Sequence, residues 1–86
     1  MTEEIIIQSI SVNLLRMSEW YFKDSKNNRA VCERYLMQSK KLAQQITNSG
    51  AKKYTDQLET ISFSTTEAPE KTAERFLTLG VLLHQI

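Results

Sequence analysis

The sequence contains little cysteine, glycine or proline, with one Cys, two Gly and one Pro among its 86 residues. The lone thiol, Cys32, cannot form an internal disulfide or a cysteine-based zinc site, which excludes a secreted scaffold held together by disulfides. Gly50 and Gly80 lie too far apart in the sequence to form a glycine-rich phosphate-binding loop. This composition also excludes collagen-like and low-complexity chains.

An excess of charge of either sign is also missing. Eleven Lys and Arg residues against ten Asp and Glu residues leave a formal net charge of +1. No overall field therefore draws nucleic acid or acidic lipid to the chain. No apolar run approaches the ~18 residues of a membrane span, and the acidic pair Glu3 and Glu4 is atypical of a signal peptide. We expect a cytoplasmic protein.

What the sequence does contain is typical of one folded domain. Its apolar fraction is 41% and its charged fraction 24%, and both values are near the averages for globular proteins. A chain of this length usually forms a single domain. We therefore expect one domain over residues 1–86.

Apolar residues recur at spacings of three and four along most of the chain, which predicts α-helices. The first helix is predicted from Glu3 to Lys23, with Thr2 as its N-cap. A turn is predicted over residues 24–28, where side chains that hydrogen-bond their own backbone are concentrated. The second helix is predicted from residue 28 or 29 to about residue 48, with Gly50 ending it in a left-handed conformation.

Two shorter helices complete the prediction. The third extends from Ala51 to about Ser62, and Phe63 is expected to fill the core from the loop that follows. The fourth begins within residues 66–69, where Pro69 suits a first helical turn, and ends at Leu83 or His84. The predicted fold is all-α, a small up-down bundle of about four helices, two long and antiparallel and two shorter.

The first and last helices carry more apolar residues than one face can bury. Trp20, Tyr21 and Phe22 are consecutive, so their side chains point about 100° apart and cannot all face one core. Either Trp20 or Phe22 stays near solvent, or the first helix is central and covered on several sides. Further apolar residues lie off the main stripes of both helices, and a small domain has few neighbours to cover them.

An uncovered apolar face predicts a partner. We expect a non-enzymatic protein–protein interaction module, a small adaptor or regulatory protein, that forms a homodimer or a hetero-complex. The predicted partner-binding residues are Val12, Leu15, Trp20, Phe22, Leu79 and Leu82.

A lysine cluster supports an alternative function. Lys40, Lys41, Lys52 and Lys53 surround Gly50 in the sequence, and four lysines could hold a few phosphates by weak, salt-dependent contacts. The alternative is therefore a regulator that binds nucleic acid without sequence preference. A solvated face that keeps the domain soluble is the more ordinary interpretation of the same residues.

A third hypothesis pairs Cys32 with His84 as nucleophile and base. The sequence offers no third group to orient such a pair, and Cys32 lies on an apolar stripe where a thiol is usually inert. Glu-x-x-His and His-x-x-x-His spacings are missing, so no metal site is predicted. We expect no catalytic activity and no cofactor.

Overall fold

Four α-helices make up the computed structural model, which describes residues 2–63 and 66–86. Helix α1 comprises Glu3–Lys23, α2 comprises Ser25–Ala43, α3 comprises Ser49–Thr60 and α4 comprises Pro69–His84. The described residues contain no strand, and 82% of them are helical. The predicted all-α bundle is confirmed.

Helix α1 begins where the sequence predicts. The Thr2 hydroxyl accepts a hydrogen bond from the Ile5 backbone N–H at 3.3 Å, which satisfies one of the amide groups left free at a helix start. Glu3, in the first turn, accepts hydrogen bonds from the backbone N–H and the hydroxyl of Thr47. These contacts hold the start of α1 against the connection between α2 and α3.

The turn between the long helices is one residue, which corrects the predicted turn over residues 24–28. Asp24 ends α1 and is also the N-cap of α2. Its carboxylate accepts hydrogen bonds from the backbone N–H of Asn27 at 3.2 Å and from the Asn27 side chain at 2.7 Å. Because this cap satisfies the first free amide, the polar residues after Asp24 start a helix instead of forming a loop.

Gly50 does not end α2, and this prediction was wrong. Helix α2 ends at Ala43, and Gly50 lies in the first turn of α3 without a positive φ. The side chain of Asn48 explains why Gly50 belongs to α3, because it accepts hydrogen bonds from the backbone N–H of Gly50 at 2.8 Å and of Ala51 at 3.2 Å. This N-cap starts the new helix before the glycine. Ile46, predicted to be helical, is buried in the connection.

Helix α1 lies at the centre of the bundle and packs against both α2 and α4. Its predicted stripe is buried throughout, and consists of Ile7, Ile10, Leu14, Met17 and Tyr21. Phe63 fills the core from the connection after α3, as predicted, with its ring centroid 5.0 Å from that of Tyr21 and 5.6 Å from that of Phe76.

Helices α1 and α4 approach closely at Gly80. A Cβ at this position would lie 3.0 Å from two atoms of the Leu15 side chain. The Gly80 carbonyl accepts a 2.7 Å hydrogen bond from the buried hydroxyl of Ser11. This contact fixes the register of the two antiparallel helices, because Gly80, which has no side chain, and the Ser11 hydroxyl must lie opposite each other for it to form.

Candidate functional site

The three consecutive aromatic residues of α1 point in three directions. Tyr21 is buried against Phe63. Trp20 is half-buried, with its ring centroid 5.4 Å from that of Tyr35 on α2. Phe22 is 68% exposed. Of the two residues predicted to stay near solvent, Phe22 is therefore the one that remains available to a partner.

Phe22 forms one wall of a groove between α1 and α4. The groove has a volume of about 440 Å³, and Leu77 of α4, 47% exposed, forms its other apolar wall. Its floor consists of the small residues Ser18 and Ala73, both buried. We call this feature the α1–α4 groove, and its lining residues are Ser18, Glu19, Phe22, Glu70, Ala73, Glu74 and Leu77.

The groove follows from the register of the two helices. The contacts of Gly80 with Ser11 and Leu15 set the C-terminal half of α4 against the N-terminal half of α1. The antiparallel direction then places the first turns of α4 beside the last turns of α1. Small residues face each other there, and the Ser18 hydroxyl is satisfied within its own helix by donating to the Leu15 carbonyl at 2.7 Å.

The groove has an acidic rim and an apolar interior. Three of its seven described lining residues carry carboxylates, Glu19 on α1 and Glu70 and Glu74 on α4, and none of the seven is basic. Glu19 forms a 3.7 Å ion pair with Lys23, and both side chains are exposed, so solvent screens this pair. Glu70 and Glu74 form no hydrogen bond or ion pair with any residue that the structure describes. The rim is therefore open to a cationic group.

The other predicted partner-binding residues do not join this groove as one surface. Leu79 is only 4% exposed, so the expectation that it stays uncovered was wrong. Leu15 is half-buried and contacts the Gly80 region. Val12 is exposed but lines a separate shallow depression with Ile5. Leu82, half-buried, is five residues from Leu77 and thus about 140° around α4 from the groove.

The lysine cluster is divided between the two ends of α3. The Lys40 ammonium donates to the Ile61 carbonyl at 2.8 Å, next to the C-terminus of α3. Lys52 is in the first turns of α3, so about 13 Å of helix separates it from that carbonyl. Lys53 lies 5.0 Å from the Tyr54 ring centroid, and Lys41 is exposed on α2. Four lysines around one turn are not found, which weakens the nucleic-acid alternative.

Cys32 and His84 lie at different levels of the bundle. The Cys32 thiol is fully buried and contacts the Met17 carbonyl at 3.8 Å. Burial raises the pKa of this thiol from 9.0 to about 11, so it is protonated at neutral pH and a poor nucleophile. His84 is one turn beyond Gly80, level with the N-terminal part of α1 and away from Met17. The nucleophile–base pair is not assembled.

Among residues 2–63 and 66–86, no group of three or more His, Cys, Asp or Glu side chains could hold a metal ion. No helix in this part of the chain is both long and apolar enough to cross a bilayer.

Several residues of the groove escaped the sequence analysis. Leu77 and the three rim carboxylates, Glu19, Glu70 and Glu74, are not among the partner-binding residues that the sequence predicts. One signal was present, because Glu70, Glu74 and Leu77 are spaced i, i+4 and i+7 and so share one side of α4. That Glu19 lies opposite them depends on the tertiary register.

Comparison with known proteins adds nothing to these observations. No known protein family, curated protein or solved structure matches the chain. A function for it must therefore be argued from its own residues.

Proposed function

We propose that this protein is a non-enzymatic protein–protein interaction module that binds a partner through the α1–α4 groove. One observation carries the proposal: Phe22, 68% exposed, and Leu77, 47% exposed, form the walls of a single groove between α1 and α4. Large exposed apolar side chains that converge on one depression mark interaction sites more often than scattered ones do.

The energetics are consistent with a binding role. Full burial of a Phe or Leu side chain stabilises a complex by roughly 1.5–3 kcal/mol before the entropy of association is subtracted. Phe22 is still largely exposed, so most of this free energy is available to a complex. A partner that inserts an apolar side chain between Phe22 and Leu77 would bury both, above the closed floor of Ser18 and Ala73.

The rim favours a different protein over a second copy of this chain as the partner. In a two-fold dimer built on the groove, the carboxylates Glu19, Glu70 and Glu74 of each copy would face the same set on the other. Like charges at close range oppose association. We therefore favour a hetero-complex over the homodimer. The rim also repels phosphates, which argues against nucleic acid at this surface.

A cytoplasmic location is part of the proposal. A single unpaired thiol such as Cys32 is typical of compartments in which cysteines stay reduced.

Photocrosslinking tests the proposal. A photoreactive phenylalanine analogue replaces Phe22 in one version of the protein and Met37 in a control version, because Met37 is also exposed but lies on α2 away from the groove. Each version is expressed in the native cell and irradiated. We expect a cross-linked protein adduct from position 22, none from position 37, and loss of the adduct when Leu77→Ala is added.

The cross-linking result can be interpreted only if the variants fold like the wild type. Leu77→Ala and the analogue at position 22 or 37 change exposed side chains and should alter the free energy of unfolding by no more than about 0.5 kcal/mol. Equal adduct formation from both positions, or an adduct at position 22 that Leu77→Ala leaves unchanged, would overturn the proposal.

A further inference from the structure

We infer that the segment bound in the α1–α4 groove is a basic amphipathic helix, with an apolar stripe flanked on both sides by Lys or Arg. The inference rests on the proposed function and adds the chemistry of the partner.

Charge identifies the flanks of the partner segment. Glu19 borders the groove on the α1 side, and Glu70 and Glu74 border it on the α4 side. The whole chain carries a formal charge of +1, so the three carboxylates at one groove are a local departure from its balance. Glu70 and Glu74 have no ionic partner in the described part of the chain, and only the exposed pair with Lys23 engages Glu19. Lys or Arg residues on both flanks of the partner helix would form ion pairs with all three carboxylates.

Shape favours a helix over an extended segment. The groove runs between two antiparallel helices, and a third helix can lay a ridge of side chains into such a channel. Its lining residues cover about one turn of α1, from Ser18 to Phe22, and about two turns of α4, from Glu70 to Leu77, which suits apolar anchors at i and i+4. An extended segment that binds by adding a strand would need a strand edge for its backbone N–H and C=O groups. The described residues contain no strand.

The small floor residues set the size of the anchor. Because Ser18 and Ala73 are small, the groove of about 440 Å³ has room for an aliphatic side chain such as leucine between Phe22 and Leu77. The Ser18 hydroxyl already donates to the Leu15 carbonyl. An apolar anchor therefore leaves no unsatisfied donor beneath it.

The test uses synthetic peptides as probes. The basic probe is a fluorescent helix-forming peptide of about 18 residues with leucines at i, i+4, i+7 and i+11 and arginines on both flanks. The acidic probe has glutamates in place of those arginines. Binding to the full chain is measured by fluorescence anisotropy at low and at high salt. We expect saturable binding of the basic probe that weakens as salt rises, and no binding of the acidic probe.

Two triple variants separate the rim from overall charge. Glu19→Gln, Glu70→Gln and Glu74→Gln together should weaken binding of the basic probe by about three- to tenfold, since exposed ion pairs contribute modestly each. The control variant Glu33→Gln, Asp56→Asn and Glu59→Gln makes the same change in net charge away from the groove and should retain binding. Phe22→Ala should weaken binding by about tenfold.

The outcomes distinguish the inference from the proposed function. Equal affinity for the basic and acidic probes, no binding of the basic probe, or equal losses in the two triple variants overturns the basic-helix inference. If the position-22 adduct is nevertheless formed and lost with Leu77→Ala, the proposed function stands with a partner of other chemistry. If that adduct is missing as well, both fail.

Discussion

Gly80 shows how a single missing side chain positions the rest of the molecule. A helix interior normally favours alanine over glycine by about 1 kcal/mol. Here a Cβ would lie 3.0 Å from Cγ and Cδ2 of Leu15 and 3.3 Å from Cβ of Leu14. The Leu14 atom is held by its own backbone, so the two helices would have to separate slightly. That movement would also lengthen the hydrogen bond from Ser11.

We predict that Gly80→Ala destabilises the protein by about 1 kcal/mol, because crowding in a packed interface outweighs the gain in helix propensity. Urea unfolding of the purified variant measures the change. In a Leu15→Ala background the same substitution should cost less, because the two closest atoms are gone and only the 3.3 Å contact with Cβ of Leu14 remains. Stabilisation by Gly80→Ala in the wild-type background would contradict the prediction.

The aromatic triplet shows what residue-level reasoning can and cannot reach. The 100° helical step requires Trp20, Tyr21 and Phe22 to diverge, and they do. Which ring stays exposed depends on neighbours that are distant in sequence. Tyr35 covers Trp20, and Phe63 covers Tyr21. The sequence pattern of α1 does not identify these contacts. Whether Trp20 or Phe22 stays exposed could therefore be decided only from the three-dimensional structure.

At the scale of the element, Asp24 joins two helices without a loop. Its carboxylate accepts two hydrogen bonds from Asn27, and these bonds hold the pKa of the carboxyl below its ordinary value of 3.8. The unfolded chain therefore binds a proton at a higher pH than the folded protein does. The stabilisation from Asp24 is present above the ordinary pKa and is lost as the pH falls through the folded value.

We predict that Asp24→Ala lowers the thermal midpoint at pH 7, because α2 loses its cap. Below the folded pKa of Asp24, the wild type should lose most of this advantage, since its protonated carboxyl is a poorer acceptor. Circular dichroism melts of both proteins from neutral to strongly acidic pH measure the difference. Ser25→Ala, next to the cap, is the matched control and should not reproduce the pH dependence. A constant difference across the pH range would contradict the assignment.

Helix number and helix faces could be predicted from the sequence, while two helix boundaries could not. Three-four spacing identifies an apolar stripe reliably because burial requires it. Polar residues near a boundary are ambiguous, since those that form turns also form caps. Asp24 and Asn48 both act as N-caps, which moved the start of α2 toward the N-terminus and placed Gly50 inside α3. The start of α1 was simpler because Thr2 is followed directly by acidic residues and an apolar stripe.

At the scale of the whole molecule, the buried thiol reports on the opening of the bundle. Cys32, on α2, is fully buried against the centre of α1. Its alkylation at pH 8 should therefore require extensive unfolding, and its rate should rise with urea in parallel with the unfolded fraction. Rapid alkylation of the native protein would show that this side of the bundle opens locally.

The Cys32 thiol also makes the free energy of unfolding depend on pH. Between pH 9.0 and about 11 the unfolded chain loses the Cys32 proton while the folded protein keeps it. The unfolded state then binds fewer protons, so the stability of the wild type falls as the pH rises through this interval. Cys32→Ala removes this contribution and leaves every other ionisable group in place. Urea unfolding of both proteins across the interval should show the wild type losing more stability than the variant.

The candidate site could be predicted only in part because its two walls come from opposite ends of the sequence. Excess apolar residues on the first and last helices are visible in the sequence, and Phe22 was named on that basis. The pairing of Phe22 with Leu77, and of Glu19 with Glu70 and Glu74, is set by the register at Gly80. Leu79 was misassigned because it is buried beside Gln57 and Thr60 at the end of α3, and this tertiary contact is not visible in the sequence.

The hydrogen bond from Ser11 to Gly80 spans 69 residues of sequence, and this separation has a consequence during synthesis. A ribosome completes α1 long before it produces the helix that covers it. Until α4 emerges, only α2 is available to pack against the apolar stripe of α1. Non-local contacts such as those between α1 and α4 form late. A ribosome-bound chain whose synthesis is stopped before α4 should therefore bind the chaperones that act at the ribosomal exit tunnel.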